Sequence, residues 1–409
     1  MKKICVFLLS VLLLLTGCAP TWDSSYHTGR HEDFGQEENE MSEGNGAQTG
    51  TTGTEALEFV ANMGVGWNLG NTMDAYDNGF GFNSELSYET MWSGAVTTQE
   101  LVDAVKAAGF NVLRIPVSWN NHLSKGDRKI NEEWMNRVRE IVDYAYNRDM
   151  YVIINTHHDL HIAYYYPSKE YEERSVAFVE TVWSQIAEYF KDYGDRLIFE
   201  GINEPRLKDT KYEWNFDSGA TECMEAMEVI NKMNQAFVDT VRNAGGNNET
   251  RYLMVPGYAA SLHGCTNEYF AVPADAQNRV IVSIHAYVPY NFALQSEAES
   301  GSVRKFDTSN ISSTRDIDWM MENIQDTFLS KGVPVIIGEF GARDKDNEED
   351  RAEYIKYYLE AAKEVGVPCL LWDNHNFSDS GEAFGLIDRE TYEWKFPLIM
   401  EAISEAVGK

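Results

Sequence analysis

Eight short apolar segments, separated by helix-like segments, constrain the fold of this chain more than any other feature. They read, in chain order, VGWNLGN, NVLRIPV, MYVIINTH, LIFEGINEP, RYLMVPG, VIVSIHAY, PVIIGEFG and CLLWDNH. The segments are rich in valine and isoleucine, are apolar on both faces and are never joined by hairpin turns, which predicts a parallel sheet covered by helices. Eight alternating units predict an α/β fold, a (β/α)8 TIM barrel, over residues 55–409.

The segments between the strands have helical patterns with recognisable ends. In TTQELVDAVKAAGF, Thr98 can cap the helix and Gly109 can end it. A second helix is predicted in EEWMNRVREIVDYAYNRDM. The alternative fold is an open doubly wound sheet, which usually carries a glycine-rich phosphate turn after an early strand. No G-x-G-x-x-G motif opens a helix here, and this favours the barrel.

The N-terminus predicts the compartment. Lys2 and Lys3 precede an apolar run over residues 4–15, which is too short for a permanent membrane span and typical of a secretory signal. The run ends in LTGC, which resembles the bacterial lipobox and implies cleavage before Cys18 and its acylation. We therefore predict a lipoprotein signal peptide over residues 1–17, and a secreted protein held by lipid at the cell surface or at a periplasm-facing membrane. An ordinary secretory signal is the alternative.

Charge and cysteine content narrow the partners. Residues 18–54, from the acylated cysteine onward, are polar and acidic and predict a flexible tether. The formal net charge of −31 repels nucleic acid, so no nucleic-acid partner is expected. Cys223, Cys265 and Cys369 lie far apart in sequence and give neither a disulfide framework nor a zinc-binding spacing. A monomer is the default expectation.

Polar side chains gather at the predicted strand ends. In a parallel barrel the loops that follow the strands open on one face, so these residues should lie together. They are Arg114, His157, His158, Asn203, Glu204, His285, Tyr287, Glu339 and Trp372. Glu204 and Glu339 follow strands four and seven and can face each other across the barrel mouth.

Two converging carboxylates suit the cleavage of a glycosidic bond. One, with its pKa raised by burial and by its neighbour, can donate a proton to the leaving oxygen, while the other stays ionised and attacks the anomeric carbon. A separation of about 5 Å would mean retention of configuration and roughly 6.5 to 9.5 Å would mean inversion. The sequence leaves that distance open.

The neighbouring residues have matching chemistry. Arg114 can hold one carboxylate ionised, and Tyr287 can donate a hydrogen bond to the same group, which is help that a nucleophile needs. His285 can hydrogen-bond a carboxylate and tune a proton donor. Asn203 offers an amide to a sugar hydroxyl, and Trp372 offers an apolar plate to the C–H face of a sugar ring.

At these residues the chain resembles the retaining (β/α)8 endoglycanases of glycoside hydrolase family 5. Seven motifs carry the resemblance, namely GWNLGNT, NVLRIPVSW, VIINTHHD, INEP, VSIHAYVPYNF, VIIGEFGA and LWDNH. It covers essentially all of residues 55–409 and is greatest to subfamily 4, whose members cut β-1,4-glucan, mixed-linkage glucan, xyloglucan and sometimes xylan. The resemblance implies an endo-β-1,4-glucanase that needs no cofactor and acts on β-glucan or a related plant cell-wall polysaccharide.

The resemblance also implies roles for individual residues. Glu204 would be the acid/base and Glu339 the nucleophile. The conserved shell around the cleaved sugar would consist of Arg114, His157, Asn203, His285, Tyr287 and Trp372. Asn71 and His158 would touch sugars at the negative subsites, and the same comparison suggests Asp74.

Three alternatives stay open at this point. The THHDLH cluster, with His157, His158 and His161, could indicate a barrel metallohydrolase, but the first predicted strand lacks the spaced histidine pair of that class, so no metal is expected. An endo-xylanase or endo-mannanase would share the fold. A non-catalytic glycan-binding lipoprotein would use the same anchor, but it has no need of an arginine-supported carboxylate opposite a second one.

Overall fold

Eight parallel strands close into a barrel in the computed structural model, which describes residues 52–77, 84–378 and 381–408. Strand order around the barrel follows the chain, and the first strand pairs with the eighth as well as with the second. The strands are β1 Gly66–Leu69, β2 Val112–Ile115, β3 Tyr151–Asn155, β4 Leu197–Glu200, β5 Leu253–Pro256, β6 Val280–His285, β7 Val335–Phe340 and β8 Cys369–Asp373. The predicted (β/α)8 barrel is confirmed.

Helices alternate with the strands, and two short ones lie in the loops after β5 and β6. The α-helices are α1 Thr52–Ala61, α2 Gln99–Ala107, α3 Glu132–Tyr146, α4 Glu172–Tyr189, α5 Thr221–Asn243, α6 Leu262–Thr266, α7 Tyr290–Ala293, α8 Ile311–Thr327, α9 Glu348–Glu364 and α10 Pro397–Val407. Helix α1 takes in residues 52–54, the last three of the predicted tether. The predicted signal peptide and the cysteine at position 18 lie outside the described residues.

Local sequence signals fix the helix ends as predicted. Thr98 caps α2, because its Oγ1 accepts a hydrogen bond from the backbone N–H of Leu101 at 3.2 Å. The helix ends before Gly109, whose φ of +111° is open to glycine and strained for other residues. Asn131 caps α3 in the same way by accepting from two backbone N–H groups of the first turn.

The barrel interior is apolar at one end and polar at the other. Helix α1 packs its buried Ala56 and Val60 against strand residues that include Val112, Ile153 and Leu370, and this cluster fills the end where the strands begin. A larger apolar layer joins the outer faces of the strands to the helices. The polar side chains are therefore concentrated at the other end, where the strands finish.

Two expectations concern the state of the cysteines and the length of the helices in the part of the chain that the structure describes. Cys223, Cys265 and Cys369 are buried free thiols. Within the described ranges, the longest and most apolar helices fall short of what a membrane crossing requires.

Candidate active site

Glu339 lies near the end of β7 with both carboxylate oxygens engaged. Arg114, from β2, donates a hydrogen bond from Nη1 to Oε1 at 2.8 Å. Tyr287, just after β6, donates its hydroxyl hydrogen to Oε2 at 3.0 Å. The predicted convergence of the arginine and the tyrosine on one carboxylate is confirmed. Such a set of donors favours the ionised form of Glu339 and fixes its orientation.

Glu204 faces Glu339 through His285. The imidazole, at the end of β6, has its Nδ1 2.9 Å from Glu204 Oε1 and 3.6 Å from Glu339 Oε1. A carboxylate oxygen of each glutamate and a ring nitrogen all lie within 4.8 Å of one another. The predicted meeting of the two carboxylates is confirmed. This approach of one oxygen from each carboxylate fits the shorter distance typical of retaining glycosidases, about 5 Å, and favours that arrangement over the wider inverting one.

A tight turn after β4 carries Glu204 to this position. The carbonyl of Gly201 accepts hydrogen bonds from Thr156 Oγ1 and Trp183 Nε1, both at 2.8 Å. Gly201 lies so close to Phe237 that an added Cβ would come within 2.7 Å of the ring. The chain leaves the sheet here, and the carbonyl of Pro205 accepts from a backbone N–H after β5 at 2.8 Å. The turn is thus held on both sides.

Burial and mutual charge set the protonation of the three groups. For His285, burial opposes the charged form, but Glu339 and Glu204 outweigh it and raise the pKa. For Glu204, burial raises the pKa, but the hydrogen bond and the charge of His285 lower it by more. For Glu339, burial and the charge of Glu204 outweigh His285 and Arg114 and raise the pKa. The expectation of a raised pKa for the acid/base candidate is wrong for the resting site, because the hydrogen bond and the charge of His285 lower the pKa of Glu204 more than burial raises it.

Arg114 is the hub of the site. Besides Glu339, it donates to Asn68 Oδ1 at 2.9 Å, to Asn203 Oδ1 at 2.6 Å and to Glu200 Oε2 at 2.8 Å. The guanidinium is completely buried. Because its planar fork meets acceptors on several sides at once, it fixes the relative positions of β1, β2, β4 and β7 at the barrel mouth.

His157 and Trp372 form the floor beside the carboxylates. Their rings are parallel, with an interplanar angle of 6° and centroids 5.9 Å apart. Asn155 Nδ2 lies 3.1 Å from His157 Nδ1, so the network assigns the ring proton to Nε2. Burial, with His158 adding to it, lowers the pKa of His157 and keeps the ring neutral. Gly70 underlies Trp372, and a Cβ there would approach the indole to 2.7 Å.

Asn71, His158 and Asp74 form a neighbouring group. Asn71 has a left-handed φ of +55°, and its backbone N–H donates to Asp74 Oδ2 at 3.2 Å. Asp74 also accepts from the N–H of Thr72 at 2.6 Å and is completely buried. His158 Nε2 lies 3.7 Å from Asp74 Oδ2. Asn71 and His158 are therefore available to a ligand. The suggestion that Asp74 touches sugars is wrong, because its buried carboxylate accepts hydrogen bonds from the backbone of the turn at Asn71 and Thr72.

Comparison with known proteins agrees with this geometry. A family model described as cellulase, glycosyl hydrolase family 5, matches residues 73–378. The chain belongs to glycosyl hydrolase family 5. Among its relatives, Endoglucanase A of Clostridium longisporum is 46% identical over 351 residues, which make up 85% of this chain. The matched region is 65% of that protein, so this chain spans slightly less than two thirds of the relative's length.

Solved structures of family 5 share the whole barrel. The lichenase of Caldicellulosiruptor sp. F32, as a mutant in complex with cellotetraose, is 47% identical with a TM-score of 0.85. The match covers 92% of this chain and 100% of that one. A broad-specificity GH5-4 endoglucanase from Clostridium longisporum is 43% identical with a TM-score of 0.80, over 86% of this chain and 98% of that one. The resemblance to subfamily 4 is thus matched by similar solved structures.

In this family 5 site, sequence reasoning missed several residues. Arg206 donates from Nη1 to the carbonyl of Glu204 at 2.9 Å and lies 3.6 Å from its Oε2. The same guanidinium stacks on Trp214, at 3.8 Å from the ring centroid, and that ring is 55% exposed. A basic residue two positions after the acidic one was a usable signal for Arg206. Trp214 lies in a loop without a pattern and gave none.

A second aromatic group flanks the family 5 site. Trp92, which is 40% exposed, has its ring centroid 5.6 Å from that of His158, and Tyr76 lies 5.4 Å from both. His161, from the THHDLH cluster, instead accepts a hydrogen bond from the N–H of Ala163 and takes no part in this group. The site is thus flanked by two exposed tryptophans on different loops, Trp92 beside His158 and Trp214 beside Arg206.

Two groups in the described part of this family 5 chain bring three possible metal-ligand atoms within 4.8 Å. One is Glu204, His285 and Glu339, and the other is Asp74, His157 and His158. In both groups, the carboxylate oxygens already accept hydrogen bonds, and the Nδ1 atoms of His285 and His157 donate or accept in the contacts given above. The hydrogen-bond network of the site therefore accounts for the clustering of these possible metal ligands.

Proposed function

We propose that this chain is a retaining endo-β-1,4-glucanase that cleaves internal bonds of cellulose-like and mixed-linkage β-glucans. The observation that carries the proposal is the approach of the Glu204 and Glu339 carboxylates to within 4.8 Å, each with a different set of donors. This spacing leaves room for the anomeric carbon and no room for a water between them, which supports double displacement.

In the first step, Glu339 attacks the anomeric carbon and Glu204 gives a proton to the departing glycosidic oxygen. The C1–O4 bond breaks, a C1–Oε bond forms, and the shortened chain leaves as an alcohol. The proton reaches Glu204 from His285, because Nδ1 of the imidazole and Oε1 of the carboxylate share a hydrogen bond of 2.9 Å. Arg114 and Tyr287 hold the attacking carboxylate in position before the reaction.

In the second step, Glu204 acts as a base. It takes a proton from a water molecule, which attacks the anomeric carbon and releases Glu339 as a carboxylate. The hydrogen bonds from Arg114 and Tyr287 strengthen as charge returns to Glu339, so they stabilise this transition state more than the neutral ester. Two inversions give net retention of the β configuration.

Residues around the carboxylates support a glucan chain as the substrate. The Oδ1 of Asn203 is taken by Arg114, which turns the amide NH2 group to the sugar side, and Trp372 gives a ring face for the same sugar. Trp92 and Trp214 lie on separate loops and extend the apolar surface beyond one sugar. Exposed aromatic rings on two separate loops beside the catalytic pair favour binding of several sugars and internal cleavage of polymers. The relatives named endoglucanase, lichenase and broad-specificity endoglucanase point to β-1,4-linked glucose.

A panel of soluble polysaccharides tests the substrate. Barley β-glucan, carboxymethylcellulose, xyloglucan, xylan and mannan are incubated with the enzyme, and product lengths and viscosity are followed. We expect a rapid fall of viscosity with oligosaccharide products on the glucans. Exclusive action on xylan or mannan would assign the chain to the alternative activities of this fold. Release of single glucose units at constant viscosity would contradict internal cleavage.

The role of Glu339 is tested by Glu339→Ala. We expect loss of reducing-sugar release by about 10⁴-fold or more while glycan binding survives. Added azide should restore turnover of an activated aryl cellobioside and give the α-glycosyl azide, because the anion then replaces the missing nucleophile. Glu188→Ala, a change of the same type at an exposed surface ion pair, is the control and should leave turnover unchanged. Full activity of Glu339→Ala would end the proposal.

The role of Glu204 is tested by Glu204→Ala. We expect turnover of natural glucans to fall by about 100-fold or more, and the first step on activated aryl glycosides to be nearly unaffected, because only poor leaving groups need a proton donor. Equal losses on both substrates would contradict the assignment of Glu204 as the acid.

We also propose that the enzyme works from a membrane surface, anchored by lipid on Cys18. The support is the sequence at residues 2–18, a basic start, a short apolar run and LTGC. Cells expressing the chain would be fed an alkyne fatty acid and fractionated. Label and membrane association should be lost in Cys18→Ala and kept in Cys5→Ala, a matched cysteine in the same segment. Unchanged labelling of Cys18→Ala would refute the anchor.

A further inference from the structure

A third glutamate lies beneath the catalytic pair. Glu200 is the last residue of β4, points into the barrel and is completely buried, so it does not touch a substrate. Its Oε2 accepts from Arg114 Nε at 2.8 Å and from Asn155 Nδ2 at 3.1 Å. Its Oε1 accepts from Ser283 Oγ at 2.6 Å. Burial of an unpaired charge is costly, and the three donors offset that cost for the Glu200 carboxylate. Glu200 is therefore a structural part of the network beneath the catalytic pair.

Glu200 shares Arg114 with the proposed nucleophile. The guanidinium contacts Glu200 on its Nε and Nη2 side and Glu339 on its Nη1, each at 2.8 Å. One permanent cation is thus divided between two carboxylates. The share of positive field that reaches Glu339 depends on the charge of Glu200, and the angle of the planar fork depends on its position.

Glu200 also lies under His285. The Nε2 of this imidazole is buried, has no hydrogen-bond partner among the described residues, and lies 4.0 Å from Glu200 Oε1. On its other side, Nδ1 faces Glu204 and Glu339. The imidazole therefore lies between carboxylates on both faces, with Arg114 as the neighbouring cation. Loss of the charge on Glu200 would remove one of the anions that hold its proton.

We propose that Glu200 is a positioning residue that fixes Arg114 against the nucleophile and supplies the negative charge that keeps a proton on the His285–Glu204 pair. The inference rests on the proposed roles of Glu204 and Glu339 and extends them to a residue outside the cleft. Besides Arg114, His285 and the two catalytic carboxylates, the charged or titratable groups that face this system are Arg206, which lies 3.6 Å from Glu204 Oε2, His158 and Glu382. The variants below leave all three unchanged.

Glu200→Gln tests the charge with little change of shape. The amide can keep its oxygen against Arg114 and turn its NH2 group to Ser283 Oγ. Removal of an anion disfavours every protonated form nearby, so both limbs of the kcat/KM profile should move to lower pH by about one unit. On the alkaline side, the variant should be about tenfold less active than the wild type at the same pH. Limbs that stay in place, in a folded variant of reduced activity, would overturn the proposal.

Two matched variants separate charge from structure. Ser283→Ala removes one hydrogen bond to Glu200 and keeps its charge, and Glu200→Asp keeps the charge but withdraws it from Arg114. Both keep the negative charge, so their pH limbs should stay closer to those of the wild type than the limbs of Glu200→Gln do, whatever their kcat. Limbs in either variant that shift as far as those of Glu200→Gln would show that packing is the cause and would overturn the proposal.

A labelling experiment distinguishes this inference from the proposed function. An activated 2-deoxy-2-fluoro-cellobioside should trap a covalent adduct on Glu339 in the wild type and, more slowly, in Glu200→Gln. An adduct on another carboxylate would refute the roles given to the catalytic pair. An adduct on Glu339 together with unmoved pH limbs would refute the role of Glu200 alone.

Discussion

The hydroxyl of Tyr287 offers the cleanest test of how the nucleophile is held. Tyr287→Phe deletes one donor to Glu339 Oε2, at 3.0 Å, and changes no formal charge. The ring keeps its contact with Phe384, whose centroid lies 5.5 Å away, so packing is retained. The variant therefore isolates a single hydrogen bond to a carboxylate.

The magnitude follows from that one bond. A hydrogen bond to a charged group contributes roughly 1.5–3 kcal/mol, and we take the lower end because water can reach the vacated place. Loss of about 1.4 kcal/mol corresponds to about tenfold in rate and about one pKa unit. Because the lost donor favours the ionised form, the already raised pKa of Glu339 rises further. The acidic limb of the kcat/KM profile should therefore move to higher pH by about one unit.

The same bond predicts which step slows. Glu339 becomes a poorer leaving group without Tyr287, so hydrolysis of the covalent intermediate should slow by about tenfold and its formation should change less. Stopped-flow measurement with an activated aryl cellobioside should then show a burst of the phenol followed by slow turnover. Tyr189→Phe, which removes a hydroxyl bonded to Asn136 on the outer helices, is the control. An unmoved acidic limb with no burst would refute the reasoning.

Four further predictions follow from single features. The wild-type pH profile should be a bell, with its acidic limb above the ordinary glutamate value of 4.5 and its alkaline limb above the ordinary histidine value of 6.5, because Glu339 and His285 both have raised pKa values. Burial raises the pKa of the Asp159 carboxyl from 3.8 to about 7, so its ionisation lowers the stability of the folded wild type as pH rises through that window. The Tm of Asp159→Asn should therefore rise relative to that of the wild type between pH 4 and pH 8. A difference in Tm that stays constant over this range would contradict the reasoning. Gly70→Ala should cost about 1–3 kcal/mol in chemical denaturation, because its Cβ would overlap the Trp372 indole; an unchanged midpoint would show that the ring moves freely. Dialysis against EDTA should leave glucan hydrolysis unchanged, and a loss restored by added metal would revive the metallohydrolase alternative.

The fold could be predicted from the sequence because the signal is repeated. All eight apolar segments are strands in the order expected, but several predicted strands are too long. The fourth was predicted to reach Pro205 and ends at Glu200, because the Gly201 carbonyl turns to side-chain donors and the backbone leaves the ladder. The sequence shows where an apolar run stops. The residue at which the backbone leaves the sheet depends on hydrogen-bond donors elsewhere in the chain, here Thr156 and Trp183.

The site could be predicted in part, for a similar reason. Residues at strand ends were found because the barrel makes strand ends converge. Glu200 was overlooked although a glutamate inside an apolar run is itself a signal, since glutamate is rarely buried without a partner. The burial of Asp74 and the raised pKa of His285 could not be predicted, because burial and charge balance arise only from the assembled network.

The contact between Arg114 and Glu339 links the catalytic site to the completion of the chain during synthesis. The residue enters early in the chain, while one of its partners, Glu339, is made 225 positions later. A nascent polypeptide that lacks the last two strands has the Arg114 guanidinium but lacks the carboxylate that it holds in the complete barrel. The paired site therefore forms only when the last strands of the barrel are in place.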